Sequence, residues 1–324
     1  MKIGVLSTAK IGRKSVLPAI QSTDHSIGAI GSRSAADARA LADQFGVPQV
    51  HGSYDALVSD DTLDAVYIPL PNALHAEWVR RAADAGLHVL CEKPLAEDAQ
   101  TARELVEYCN ERGVVLMEGF MYRYHPRTKR ISELIDSRLD RLTSFKSAFK
   151  FPLRDRPDDI RLSPELAGGS LMDVGCYPIN AARTFMGEPT SVSGWRSDSR
   201  DAGVDTEMTA VLAYDDGTTA TVESGFDSQM EQYYRIDAEN GWIRTETAFD
   251  VDSDASVSIE YVIDGEHESE RFEPVDQYAR EIAAFAEAIE EGVSPETDGN
   301  EAVRNMRVID AIVESDATGK RITL

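Results

Sequence analysis

The sequence of 324 residues has few cysteines and no long apolar run. Cys91, Cys109 and Cys176 are an odd number and lack the spacing of a metal or redox motif, which predicts a reducing, cytoplasmic setting. No apolar stretch approaches the ~20 residues that a membrane-spanning helix needs. The first residues enter a strand pattern directly, without the layout of a signal peptide. We therefore expect no membrane partner.

Basic residues are scarce relative to acidic ones. Lys and Arg number 33 against 57 Asp and Glu, which gives a formal net charge of −24, and only eight of the 33 are lysines. A nucleic-acid partner is not expected, because phosphate binding needs a basic surface. The carboxylates are spread along the chain, a pattern typical of cytoplasmic proteins from salt-loving (halophilic) microbes. The alternative is an ordinary acidic protein, and in either case the charge bears on solubility rather than on chemistry.

The length of the chain suggests two domains. Strand and helix patterns alternate up to about residue 122, which predicts a doubly wound parallel sheet. Later strands alternate around hairpin signals at Asn240-Gly241 and Asp264-Gly265, and two helices close the chain. We therefore predict an α/β protein with a nucleotide-binding domain over residues 1–122. An α+β domain with a largely antiparallel sheet is expected over residues 123–324.

The turn after the first strand has the spacing of a dinucleotide-binding fingerprint. In Ser7-x-Ala9-x-x-Gly12, Ser and Ala replace the glycines that make the tight turn and admit the pyrophosphate. Both are small, so the loop could still present N–H groups at a helix N-terminus. We expect Ser7, Thr8, Ala9, Ile11 and Gly12 to contact the cofactor, although an ordinary strand–turn–helix has the same pattern.

The second strand ends in Ser32-Arg33-Ser34. A site that prefers NAD places an Asp or Glu near this point to bind the ribose 2′-hydroxyl. Arg instead offers a planar fork of donors that suits a phosphate dianion. Ser32 and Arg33 therefore predict NADP, and the alternative is an exposed Arg at the start of a helix.

A later apolar run, His88 to Cys91, ends in Glu92, Lys93 and Pro94. Ligands of α/β proteins bind at the carboxyl ends of strands, so a lysine at this point is a candidate catalytic residue. The alternative is a surface Glu-Lys pair at a turn.

In the second half, Gly168-Gly169-Ser170 leads into a predicted helix that carries Asp173 and Tyr177. Four residues apart, they share one helix face. A Lys, a Tyr and an Asp beside a nicotinamide would form a proton-transfer set, since a neighbouring cation lowers the pKa of a tyrosine. Taken alone, the Asp-Tyr pair fits a hydrophobic core as well. The six histidines show no ligand spacing, and no metal is expected.

With these elements in this order, the sequence resembles the glucose-fructose oxidoreductase and inositol dehydrogenase (Gfo/Idh/MocA) family over essentially its whole length. The resemblance rests on Glu92-Lys93-Pro94, on Pro71-Asn72 with His75, on the run from Glu118 to Pro126, and on Asp173-Val174-Gly175-Cys176-Tyr177-Pro178. It implies a Rossmann domain, a second domain with an open sheet, and hydride transfer between a nicotinamide cofactor and a sugar-like alcohol or ketone. The open sheet is often used for oligomerisation, so a homodimer or homotetramer is expected.

The resemblance also implies residue roles. Lys93 and Tyr177 are expected to be catalytic, Asp173 to support them, and the Lys93–Pro94 bond to be cis. Further expected cofactor contacts are Pro69, Leu70, Asn72, His75, Glu92 and Lys93. Expected substrate contacts are Lys93, Tyr122, Arg123, Tyr124, His125, Asp173, Tyr177 and Asn180. For His75 and His125, a structural role is an equal alternative.

Two departures from the family pattern bear on the substrate. Many members have glycines where Ser7 and Ala9 stand, and inositol dehydrogenases have His where Tyr177 stands. The sequence looks closest to the NADP-linked D-xylose dehydrogenase and dihydrodiol dehydrogenase branch. We expect oxidation of the anomeric carbon of an aldose such as D-xylose or D-glucose. The alternatives are a keto-sugar reductase or diol dehydrogenase, a redox-neutral glycosidase that retains its nicotinamide, and a non-catalytic sugar or cofactor sensor.

Overall fold

The computed structural model describes residues 1–153, 156 and 159–324, which form two units. The first comprises Met1–Met121 and Asp276–Val303, and the second comprises Tyr122–Val275 and Arg304–Leu324. The expected division into residues 1–122 and 123–324 therefore differs from the structure in one respect. The segment Asp276–Val303, late in the chain, belongs with the nucleotide-binding unit.

Within its described residues, the first unit has a six-stranded sheet in the order β3-β2-β1-β4-β5-β6, and every pairing is parallel. Its strands are β1 (Lys2–Leu6), β2 (Ser26–Gly31), β3 (Gln49–His51), β4 (Ala65–Ile68), β5 (His88–Glu92) and β6 (Leu116–Gly119). All four residues of β4 are buried, as expected for a strand covered on both faces. The predicted doubly wound parallel sheet is confirmed.

Helices connect these strands, and polar side chains cap several of them. The first helical segment is a π-helical turn (Gly12–Val16) that continues as α1 (Leu17–Gln21). The others are α2 (Ala35–Phe45), α3 (Tyr54–Val58), α4 (His75–Asp84) and α5 (Ala99–Glu111). Ser34, Ser53 and Asp98 each accept a hydrogen bond from a backbone N–H in the first turn of α2, α3 and α5.

The late segment joins the first unit through helix packing and backbone contacts. Helix α8 (Gln277–Glu291) packs against the π-helical turn and α1. Thr297 exchanges two hydrogen bonds with the backbone of Glu118 in β6, at 2.9 and 2.8 Å. The helical pattern of the sequence predicts a buried face on α8 but not the element that covers it, so the sequence alone does not assign this segment.

The described part of the second unit has a nine-stranded sheet in the order β14-β13-β12-β11-β7-β10-β9-β8-β15. Pairing is antiparallel except between β7 and β10. The strands are β7 (Leu142–Lys150), β8 (Ser191–Ser197), β9 (Glu207–Ala213), β10 (Thr219–Gly225), β11 (Glu231–Ala238), β12 (Gly241–Glu246), β13 (Val257–Ile263), β14 (Glu266–Phe272) and β15 (Ile322–Thr323). The predicted, largely antiparallel sheet is confirmed.

Helices α6 (Pro126–Arg138) and α7 (Cys176–Met186) pack against this sheet. The long helix α9 (Gly299–Thr318) passes from the first unit to the second. Among the helices of the described residues, none combines the length and the apolar character that crossing a bilayer requires.

Candidate active site

The turn after β1 uses a serine where the dinucleotide-binding fingerprint has a glycine. Ser7 has a φ of 113°, a backbone conformation that favours glycine. Its N–H donates to Gly31 O at 2.8 Å, and its hydroxyl both donates to Pro69 O and accepts from Ala9 N, each at 3.2 Å. These bonds offset the backbone strain and tie the loop after β1 to the loop after β4.

The third position of the fingerprint keeps its glycine and lies next to the sheet. A Cβ on Gly12 would lie 3.7 Å from a ring carbon of Tyr67 and 3.9 Å from Pro69, which are ordinary van der Waals distances, so packing alone does not require glycine there. Thr8, Ala9 and Ile11 are half-buried beside this position. The helical segment therefore begins close to the sheet, as pyrophosphate binding by such loops requires.

Hydrogen bonds hold the backbone just after β2 in place, whereas the side chain of Arg33 there is exposed. Ser32 is buried, its N–H donates to His51 O at 3.1 Å, and its hydroxyl accepts from Ser34 N at 3.1 Å. Arg33 forms no ion pair with any residue that the structure describes. Its guanidinium is therefore available for an anion at the carboxyl end of β2.

Three neighbouring elements hold the residues that flank Lys93. Tyr67 of β4 donates its hydroxyl to Glu92 Oε1 at 2.6 Å. Leu95 N donates to Glu118 Oε1 of β6 at 2.7 Å, and the ring of His75 in α4 is 2.9 Å from Pro94 O. The Lys93–Pro94 bond is cis, in agreement with the expectation. We refer to Glu92–Leu95 as the Lys93 turn, and Lys93 itself is half-buried there.

His75 holds two loops together. It is fully buried, and its second ring nitrogen is 2.8 Å from Leu70 O. Burial lowers the pKa of His75, while the two carbonyl contacts oppose that effect. Both nitrogens contact backbone carbonyls, which supports the structural alternative, and a contact between His75 and the cofactor stays a prediction. His75 joins the loop after β4, which carries half-buried Asn72, to the Lys93 turn.

A buried acid, Glu281, lies near Glu92 of the Lys93 turn and belongs to no sequence motif. Glu281 of α8 is 2 % exposed, and its Oε1 has no hydrogen-bond partner among the described residues. Burial, reinforced by the charge of Glu92, raises the pKa of Glu281 well above its usual range. Burial and Glu92 likewise raise the pKa of Tyr67. Burial thus favours the protonated, uncharged form of Glu281.

In the second unit, Asp173 lies in a π-helical turn (Leu171–Gly175) and Tyr177 in the first turn of α7. The helix that carries both residues therefore begins with a π-turn rather than as a regular α-helix, and a shared face for Asp173 and Tyr177 stays a prediction. Tyr177 is 5 % exposed and packs against Phe149 and Phe249, with ring centroids 5.4 Å apart in both cases.

A buried carboxylate anchors the start of this helix. Asp205 Oδ2 accepts hydrogen bonds from the Ser170 hydroxyl at 2.8 Å and from Leu171 N at 2.7 Å. Burial raises the pKa of Asp205, although these two bonds oppose it. Further along, a Cβ on Gly175 would lie 2.9 Å from the Ser224 hydroxyl, so the π-turn packs too closely against β10 for a side chain.

The run after β6 joins α7 through Asn180. The Tyr122 hydroxyl donates to Asn180 Oδ1 at 2.5 Å, and Arg123 Nη1 lies 3.5 Å from the same oxygen. Tyr122, Tyr124 and Asn180 are buried, and Arg123 is half-buried. The structure thus places these predicted substrate residues together with Tyr177 in the second unit, whereas Lys93 and the nucleotide-binding residues belong to the first.

His125 has a structural role at the start of α6. It is fully buried, and its Nδ1 accepts a hydrogen bond from Arg127 N at 3.1 Å. This helix cap supports the structural alternative for His125, and a contact between His125 and the substrate stays a prediction. In the parts of the chain that the structure describes, no group of three or more His, Cys, Asp or Glu side chains is arranged to hold a metal ion.

Two family models match the chain. The oxidoreductase family with an NAD-binding Rossmann fold (GFO_IDH_MocA) matches residues 1–120, and the GFO/IDH/MocA C-terminal domain matches residues 128–244. The chain belongs to the Gfo/Idh/MocA family. The resemblance stated from the sequence motifs is therefore confirmed.

Individual members of the family match this chain over nearly its whole length. The chain is 53% identical over 324 residues to a D-xylose 1-dehydrogenase (NADP(+)) of Haloferax volcanii, and 100% of both chains is covered. A crystal structure of a 3-ketoreductase from Actinomadura kijaniata with NADP and TDP-benzene is similar with a TM-score of 0.92, 32% identity and 97% of both chains covered. An aldose-aldose oxidoreductase from Caulobacter crescentus matches with a TM-score of 0.92 and 27% identity, over 100% of this chain and 99% of the other.

Proposed function

We propose that this protein is an NADP-dependent sugar dehydrogenase that oxidises the anomeric carbon of an aldose of the D-xylose or D-glucose type. The observation that carries the proposal is the full-length, 53% identical match to a D-xylose 1-dehydrogenase that uses NADP(+). Lys93, Asp173 and Tyr177, the expected reaction residues, are all present in this chain. The reaction converts a cyclic aldose and NADP⁺ into the lactone, NADPH and a proton.

The nucleotide-binding unit has side chains that fit NADP. The loop from Ser7 to Gly12 joins β1 to the first helical segment, which is where folds of this kind bind the pyrophosphate. Ser32 and Arg33 supply donors and positive charge for the 2′-phosphate, and no described carboxylate pairs with Arg33. Pro69, Leu70, Asn72 and Glu92 stand at the carboxyl ends of β4 and β5, where the nicotinamide end of such cofactors is bound.

The roles of the reaction residues follow from their chemistry. When bound, NADP supplies the hydride acceptor. Tyr177 takes the proton from the C1 hydroxyl, and Lys93 donates a hydrogen bond that orients this hydroxyl. Asp173 accepts a hydrogen bond from the sugar and fixes its position. The contacts from Tyr67, His75 and Glu118 keep the backbone on both sides of Lys93 in one conformation.

The experiment is an activity screen with purified protein. NADP and a panel of aldoses are supplied at low and high salt, and NADPH is followed by its absorbance. We expect NADPH to accumulate in solution with at least one pentose or hexose. Sugar turnover without release of NADPH would favour the glycosidase alternative, and NADP binding without any turnover would favour a sensor.

A reductase is the second candidate, because the solved relative from Actinomadura kijaniata is a 3-ketoreductase. The same residues would then act in reverse, with Tyr177 donating a proton to a keto-sugar. Oxidation of NADPH by a keto-sugar at a higher kcat/KM than any aldose oxidation would favour this candidate.

We also propose that the protein forms a homo-oligomer, a dimer or tetramer, through the sheet of its second unit. Trp195 of β8 is 63 % exposed, while Val192 and Gly194 on the same strand are buried. A second copy would cover this side chain, and light scattering of Trp195→Asp against wild type tests the proposal. A cytoplasmic, salt-rich setting fits the three buried free cysteines and the Haloferax relative.

A further inference from the structure

An arginine outside every motif of the sequence contacts Asp173. Arg161 Nε donates to Asp173 Oδ2 at 2.6 Å, and its Nη1 donates to Asp159 Oδ1 at 3.2 Å. The charge of Asp173 raises the pKa of Arg161, so the guanidinium stays positive. Hydrogen bonds of this kind, with both partners ionised, are short and strongly oriented. Arg161 therefore holds one oxygen of Asp173 in a fixed position.

The backbone of Arg161 is as firmly placed as its side chain. Its N–H donates to Asp159 Oδ1 at 3.1 Å, and its carbonyl accepts from Gly169 N at 2.8 Å. A Cβ on Gly168 would lie 2.4 Å from the same carbonyl, so this close approach requires glycine. The Gly168-Gly169 pair ahead of the π-turn thus has a defined purpose, which is to bring Arg161 against the segment that carries Asp173.

The guanidinium of Arg161 keeps donors for a ligand. Its hydrogen bonds to Asp173 and Asp159 use Nε and Nη1, and no described residue accepts a hydrogen bond from Nη2. The side chain of Arg161 is 38 % exposed and that of Asp173 is 18 % exposed, so solvent reaches the pair. A fixed donor beside a fixed carboxylate matches two adjacent hydroxyls, one of which accepts and one of which donates. An aldose carries such hydroxyl pairs along its ring.

We infer that Arg161 is a specificity-determining residue, which positions Asp173 and donates a hydrogen bond to one ring hydroxyl of the sugar. This inference rests on the proposed function. It assigns the substrate class more narrowly, to aldoses with two free adjacent hydroxyls. A sugar that lacks the recognised hydroxyl cannot accept a hydrogen bond from the Arg161 guanidinium, so the enzyme should discriminate against such analogues.

The test removes the arginine side chain and single sugar hydroxyls, separately and together, and compares the effects on kcat/KM. kcat/KM is measured for wild type and for Arg161→Met with the best aldose and with its 2-, 3- and 4-deoxy analogues. Wild type should discriminate against one deoxy analogue by roughly 10- to 100-fold, the range for a hydrogen bond to a charged group. Arg161→Met should lose activity on the parent sugar but accept that analogue almost as well as the parent.

Arg161→Lys separates positioning from hydroxyl recognition. A lysine keeps the charge beside Asp173 but has no planar fork. We expect it to recover part of kcat on the parent sugar without recovering discrimination against the deoxy analogue. Arg130 of α6 forms a two-point ion pair with Glu270 of β14, with nitrogen–oxygen distances of 2.9 and 2.8 Å. Arg130→Met is therefore the matched control. It should leave discrimination unchanged.

The outcomes are distinct. If Arg161→Met is equally impaired on the parent and on every deoxy analogue, Arg161 contacts no hydroxyl and the inference is wrong. Equal discrimination by Arg161→Lys and wild type would also contradict it. If wild-type protein oxidises no aldose, the proposed function fails and the inference fails with it. NADP affinity should not change in either Arg161 variant, because the expected nucleotide contacts lie in the first unit, and a change would indicate misfolding.

Discussion

The Lys93 turn and the helix start that carries Tyr177 are stabilised by different kinds of contact. The Lys93 turn is held by Tyr67 and Glu118, on the strands either side of β5, and by His75 of α4. The helix start is held by one buried carboxylate from a more distant point of the chain. This residue, Asp205, accepts hydrogen bonds from Ser170 and Leu171.

Because of this difference, substitutions in the two regions should affect different quantities, the catalytic rate in one and the stability in the other. In the Lys93 turn, each flanking residue has its own buried partner, so replacing Lys93 itself should leave the backbone in place. At the start of α7, one carboxylate satisfies two donors, so its loss should release the helix terminus. We therefore expect substitutions in the first region to change rate, and substitutions in the second to change folding as well.

The largest expected effect comes from Lys93→Met. Activity should fall by about two to four orders of magnitude, the range for losing a positioned proton-transfer group, while NADP affinity stays nearly constant. Steady-state kinetics and NADP titration measure the two quantities. A variant that keeps a tenth of wild-type turnover on the best aldose would remove Lys93 from the mechanism. A variant that fails to fold would show that the conformation of the Lys93 turn depends on the lysine side chain.

Asp205→Ala should lower the free energy of unfolding by about 2–6 kcal/mol, because two buried donors each lose an acceptor at about 1–3 kcal/mol. Urea denaturation at constant salt measures this change. Asp216→Ala is the control, since Asp216 also accepts two hydrogen bonds, from Thr218, but at an exposed turn. Equal stability changes in both variants would show that burial of Asp205 is unimportant.

Arg33→Ala tests the nucleotide end of the first unit. A charge-assisted contact with the 2′-phosphate contributes about 1.5–3 kcal/mol, or roughly ten- to a hundredfold in affinity. The KM for NADP should rise by that factor, with NAD use little changed. The comparison needs matched ionic strength, because salt screens an exposed contact. Wild-type protein that uses NAD as well as NADP would show that Ser32 and Arg33 do not select the cofactor.

The smallest expected effect is the pH dependence contributed by Glu281. Its pKa is higher in the folded than in the unfolded protein, so the folded state binds the proton more tightly. The stability that this proton provides is present at low pH and is lost as pH rises from the unfolded value towards the folded one. Glu281→Gln cannot ionise, so its stability relative to wild type should increase as pH rises above about 4.5. Parallel stability–pH curves for the two proteins would contradict this.

Most of the fold could be predicted from the sequence, because strand and helix periodicity is a local property. The strand–helix alternation up to about residue 122 and the hairpins at Asn240-Gly241 and Asp264-Gly265 are present in the structure. The short strands β3 and β15 cannot be predicted in this way, since two or three residues give no periodicity. The π-turn at Leu171–Gly175 cannot be predicted either, because nothing in its residue types distinguishes the wider turn from an α-helix.

Only some residues of the candidate site can be predicted from the sequence. Motif residues such as Lys93 and Tyr177 stand in recognisable local patterns. Their partners Arg161, Asp205 and Glu281 do not, because each is defined by a contact with a residue far away in the chain or by burial against another element. The spacing of glycines at 168 and 169 was a usable signal, since a Gly-Gly pair before a helix indicates a close backbone approach.

In the proposed reaction, hydride leaves the anomeric carbon of an aldose and reaches NADP. This transfer can be followed with an aldose deuterated at C1, NADP and wild-type protein, with the reduced nucleotide analysed by mass spectrometry. We expect one deuterium in the NADPH formed and a lactone as the sugar product. Unlabelled NADPH, or a product oxidised at any other carbon, would contradict it.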